Sequence, residues 1–77
     1  NEMKLVAVGT FSDAILAEMY AELLRRQGVP VMVQPVGAHL GGWAVGVASM
    51  HRLLVPEDYF DRANRILLEY LAGDEES

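Results

Sequence analysis

Arg52-Leu53-Leu54-Val55-Pro56-Glu57-Asp58 is the stretch that decides the fold, because a short apolar run passes directly into a helix-start signal. Arg52–Val55 reads as a strand bounded by proline. Proline in a first helical turn has no N–H to lose, and the acids Glu57 and Asp58 suit the positive end of a helix dipole. Downstream, Phe60, Ala63, Leu67, Tyr70 and Leu71, with Ile66 beside them, form an apolar stripe at helical spacing. Asp61–Arg65 and Arg65–Glu69 fall at the four-residue spacing of exposed ion pairs. Gly73 is expected to end this helix, leaving residues 73–77 as a solvated acidic tail.

Working upstream, Gly37 to His51 holds four glycines, the sole tryptophan and both histidines, and it breaks the periods on either side. Within it, Trp43–Ala48 is expected to form a short strand that lengthens a hairpin. Before it, Val29–Val36 is extended in composition, and its two prolines, each lacking a ladder donor, confine it to a sheet edge. Val31, Val33 and Pro35 share one face of this strand and Met32, Gln34 and Val36 the other, the first being the inner one.

The remaining N-terminal part is a strand over Lys4–Thr10 and a helix from Ser12, with Ile15, Leu16, Met19, Tyr20, Leu23 and Leu24 as its buried stripe. Ser12 is expected to cap it, Arg25 and Arg26 to sit at its negative end, and Gly28 to stop it in a left-handed conformation. The element order is therefore β-α-β-β-α. This is an α/β (α+β) fold, ferredoxin-like with its fourth strand absent: a three-stranded antiparallel sheet with two helices on one face. Strand one is left with an unpaired edge, which invites a partner.

Three segments together carry a family resemblance. They are Ala21-Glu22-Leu23-Leu24-Arg25-Arg26-Gln27-Gly28-Val29-Pro30, the Leu40-Gly41-Gly42 turn, and Leu54-Val55-Pro56-Glu57-Asp58-Tyr59 followed by Ala63 and Ile66-Leu67. Over Met3–Leu71 the chain resembles a family of short bacterial proteins assigned to signal transduction, with a PII-like β-α-β-β-α fold. The resemblance implies a regulatory role and brings no catalytic residues. Many members follow the glycine turn with a Gly-Glu-Leu-Pro-like stretch, whereas Gly46-Val47-Ala48-Ser49 here lacks the acid and the proline.

A chain of 77 residues fits one domain over 1–77, with an ordered core of about 3–72. At that size a core rarely supplies more than about 3–5 kcal/mol without disulfides, metal or association. With no cysteine in the chain, self-association through the sheet edge or face is the natural supplement. Six Lys and Arg against eleven Asp and Glu give a net charge of −5, which disfavours nucleic acid and anionic membrane surfaces as partners. No apolar run approaches the ~20 residues of a membrane span, and no signal-peptide succession opens the chain, so a cytoplasmic location is expected.

The candidate chemistry is sparse. His39 and His51 stand twelve positions apart with no Cys and no adjacent acid, so no metal site and no cofactor are expected. The glycines around Gly41 and Gly42 lack the Lys-Ser/Thr of a phosphate loop and read as turns. Ser49 near His51 lacks an orienting third group, Ser12 is explained by capping, and Glu18 with Glu22 reads as a solvated helix face. An enzyme is not expected.

The residues assigned to ligand or partner binding are His39, Leu40, Gly41, Gly42, Trp43 and His51. Trp43 with Leu40 could cover the open sheet face, either within the chain or across a dimer. The leading expectation is a non-enzymatic regulatory or protein-interaction module. The alternative is a sensor domain holding an anionic metabolite or amino acid at a dimer seam near Gly41 and Gly42.

Overall fold

A computed structural model describes residues 3–36 and 50–76 of the chain. The elements are β1 (Leu5–Phe11), α1 (Ala14–Arg26), β2 (Met32–Pro35), β3 (His51–Pro56), a 3-10 turn (Glu57–Tyr59) and α2 (Phe60–Glu76). Both β1 and β2 pair antiparallel with β3, giving the order β1-β3-β2. This is the β-α-β-β-α arrangement read from the sequence, with β3 central and, among the described residues, both other strands at edges.

The turn from α1 into β2 shows how local chemistry sets the packing. Gly28, at φ +87°, donates to Arg25 O at 2.9 Å, and Val29 N donates to Leu24 O at 2.9 Å. This Schellman arrangement satisfies carbonyls that the helix end leaves free. Leu24 and Val29, the apolar pair that accompanies such a turn, are both fully buried. The stop expected at Gly28 is therefore also the point where β2 is anchored to the core.

The helix termini correct three expectations. Asp13, not Ser12, caps α1, its Oδ1 accepting from Ile15 N at 2.8 Å. Pro56 ends β3 with extended backbone angles (φ −59°, ψ 144°) and precedes the 3-10 turn instead of entering a helix. Glu57 N then donates to Lys4 O at 2.8 Å, tying this turn to the start of β1. Gly73 does not stop α2, which runs on to Glu76, because this glycine keeps a negative φ and only Gly28 is positive among the described residues.

The core comprises Ala17, Tyr20, Ala21 and Leu24 of α1, Val29, Leu53 and Val55 of the sheet region, and Ala63 and Leu67 of α2. The buried stripe of α1 is thus rotated from the one expected. Ile15, Leu16 and Met19 are exposed, and Leu23 is half-buried. The physical reason is distance: Ala17 and Ala21 bring α1 closer to its neighbours than larger side chains permit. In α2, Tyr70 and Leu71 are likewise exposed, while Phe60 and Ile66 are half-buried. The ion pairs lie on α1, where Glu22 meets Arg26 at 3.5 Å and Arg25 at 3.8 Å. Neither Asp61–Arg65 nor Arg65–Glu69 forms an ion pair among the described residues, and Arg62 of α2 donates to Gln27 O.

One irregularity in β1 decides which side chains reach the core. Ala7 pairs with Leu54 and Gly9 with Leu53, so Val8 is an extra, bulged residue. A bulge resets the two-residue alternation of a strand. Val6 and Val8 face the helices before the reset, and Phe11 faces them after it, stacking on Tyr20 with ring centroids 5.0 Å apart. Tyr20 in turn meets Tyr70 edge-on at 5.6 Å.

Candidate functional site

Of the six residues assigned to binding from the sequence, His39, Leu40, Gly41, Gly42 and Trp43 lie outside the described residues, as do the strand expected over Trp43–Ala48 and Ser49. His51 is described. It opens β3, pairs with Phe11 on one side and Pro35 on the other, and is half-buried. Its Nδ1 is buried and has no hydrogen-bond partner among the described residues. No three His, Asp or Glu side chains converge to hold a metal ion among the described residues.

The fold instead brings together a set of residues that the sequence reading did not assign to binding. Strand pairing aligns Ala7, Leu54 and Met32 in one row across the sheet, and Thr10, Arg52 and Gln34 in the next row but one. Alternation puts both rows on the face away from the helices, since Leu53 between them and Val55 beyond Leu54 are fully buried in the core. Leu5, paired with Pro56, extends the apolar row toward the 3-10 turn. Leu5 is 43% and Met32 52% exposed, and Leu54 is half-buried. The open face is therefore apolar over one half and polar over the other, with Arg52 the only Asp, Glu, Lys or Arg in the three strands.

The sequence held part of this signal. Met32 and Gln34 alternate with Val31 and Val33, so the outer face of β2 was legible. That Ala7 and Leu5 join it depends on register, which the bulge at Val8 sets.

A second apolar surface lies on the helical side, where Met19 and Leu23 of α1 approach Ile66 and Tyr70 of α2 with Glu22, Arg26 and Glu69 at the rim. Two hollows there, of about 240 Å³ beside Met19 and about 250 Å³ beside Ile66, and the hollow of about 230 Å³ between Leu5, Pro30, Met32 and Leu54 are shallow. Pockets for small molecules usually measure about 300–1,000 Å³. A wider hollow of about 440 Å³ beside Val6 and Phe60 has Glu57 and Asp61 in its wall, carboxylates that repel an anion.

The edges of the sheet are less inviting than its face. The outer side of β1 is interrupted by the bulge at Val8. β2 is four residues long, ends in Pro35 and follows Pro30, while Arg25 Nη2 donates to Val31 O at 3.1 Å just before it. Bulges, prolines and short strands are devices that discourage strand addition.

Among the described residues no helix is long and apolar enough to cross a membrane. Residues 5–70 match the model of a family described as "Putative prokaryotic signal transducing protein". No curated protein and no solved structure matches the chain.

Proposed function

The chain belongs to the putative prokaryotic signal transducing protein family, and from that membership we propose that it is a non-enzymatic regulatory module that works by binding proteins, its own copies included. The observation that carries this reading is the sheet face where Leu5, Ala7, Met32 and Leu54 form an apolar row with no helix over it among the described residues. Apolar area of this kind on so small a chain is a cost in water unless a partner removes it. The cytoplasm is the compartment we propose, since a chain without cysteine suits a reducing environment.

The competing reading, a sensor for an anionic metabolite or amino acid, would place its ligand at a dimer seam near Gly41 and Gly42. Thermal unfolding separates the two. For a protein-binding module that self-associates, the melting temperature rises with chain concentration and is indifferent to a panel of amino acids and anionic metabolites. A single metabolite that raises it with the logarithm of its own concentration, at fixed protein concentration, would replace the first reading with the second.

A further inference from the structure

We infer that a second copy of this chain docks on the helical side, the α1–α2 groove of one copy lying on that of the other about a two-fold axis that runs across the helices. The inference rests on the self-association proposed above and names the surface and the orientation through which it occurs.

The first observation is an apolar stripe on the outside of the helices. α1 and α2 run antiparallel, Tyr20 meeting Tyr70 at one end of the pair and Arg62 reaching Gln27 O at the other. Met19, Leu23, Ile66 and Tyr70 line the groove between them, and Ile15, one turn before Met19, carries the stripe to the start of α1. Ile15 is 79% and Met19 44% exposed. Both stand on the side of α1 opposite Ala17, which the core holds, so the helix cannot bury both sides against its own sheet.

The second observation is that the helical side is electrically polarised along the groove. Every arginine of the two helices lies toward the end of α1 and the start of α2: Arg25, Arg26, Arg62 and Arg65, against the acids Glu22 and Asp61. The other half contains Glu18 and Glu69, α2 closes on Asp74, Glu75 and Glu76, and no Lys or Arg stands among them. A two-fold axis parallel to the helices would lay like ends on like. An axis across the helices lays each positive half on the partner's negative half and the apolar stripe on its own copy. The surface is then self-complementary, as a two-fold interface requires.

The third observation sets the register. Glu69 lines the groove, and Arg65 stands one turn before it on the same side of α2. Neither belongs to an ion pair among the described residues. With the axis at the level of Leu67, midway between them, Arg65 of each copy meets the partner's Glu69.

That reciprocal contact can be tested by mixing. The full chains carrying Arg65→Glu and Glu69→Arg are examined by sedimentation equilibrium, each alone and then together in equal amounts. Alone, each variant sets like charges against one another at both contacts and is expected to dimerise at least about tenfold more weakly. Mixed, they set opposite charges at both contacts, and the heterodimer is expected within about threefold of the unsubstituted dimer. Met19→Glu is expected to weaken dimerisation at least about tenfold, whereas Met32→Glu on the sheet face leaves it unchanged.

A dimer indifferent to Met19→Glu or sensitive to Met32→Glu instead, or a mixture no tighter than its two components, overturns this surface and orientation and leaves self-association standing. A chain that stays monomeric at millimolar concentration overturns both and leaves the groove to a helix of another protein.

Discussion

The two faces of the sheet are built from the same strands and differ by one residue in phase. Leu53 and Leu54 are adjacent on β3, yet Leu53 is fully buried against the helices and Leu54 is half-buried on the far side. On the inner face Val6, Val8, Val33, Leu53 and Val55 meet Leu24, Ala63 and Leu67 or pack against that core. The outer face offers Leu5, Ala7, Met32 and Leu54 with no described element upon it. The same residue types stabilise the fold on one side and leave a surface on the other, so composition alone does not separate core from interface.

Substitutions at matched positions put that comparison at risk. The largest effect is expected from Leu53→Ala, which empties a fully buried site and should cost about 2–5 kcal/mol in denaturant unfolding of dilute protein. If Leu54→Ala costs as much under the same conditions, the two faces are energetically alike and the distinction fails.

Next is Gly9→Val. A Cβ there would sit 3.2 Å from Phe11 Cε2 and 4.0 Å from Leu67 Cδ1, so a branched side chain would press on the Phe11 ring. Overpacking of this kind costs about 1–3 kcal/mol. Ala7→Val, two residues away on the open side, is expected to change stability by no more than about 0.5 kcal/mol. Equal losses in the two variants would mean that β1 is as tightly packed outside as in.

Leu54→Ala itself should cost about 1 kcal/mol in dilute solution, roughly half the value of a fully buried leucine. The informative measurement is its dependence on concentration. If the open face is covered by a second copy, the loss grows as protein concentration is raised into the range of association. The smallest effect is expected for Met32→Ser, within about 0.5 kcal/mol by dilute thermal or chemical unfolding. A loss several times larger would place Met32 in the folding core of the single chain.

Much of the fold was legible because its punctuation is local. Gly28 reads as a helix stop from sequence and is one, since a positive φ suits glycine and little else. The prolines of the β2 region mark an edge strand for a reason internal to the residue, the missing N–H. The candidate site was legible only in part. Met32 and Gln34 could be assigned to an outer face by alternation, but His39–Trp43 lie outside the described residues, and His51 supplies only a half-buried ring at the start of β3.

What the sequence determined by itself was the order of elements, the stop of α1 at Gly28, and the central place of β3, because these follow from dihedral preferences and hydrogen-bonding groups carried by single residues. Only the tertiary structure decided which apolar stripe of α1 is buried, and that Val8 bulges so that Ala7 joins Leu54 and Met32 on one face. The physical reason is that rotation and register are chosen by competition among neighbouring surfaces for close contact. Ala17 and Ala21 win that competition by their small size, and Phe11 by its stack on Tyr20, while Ile15, Met19 and Met32 are left in water.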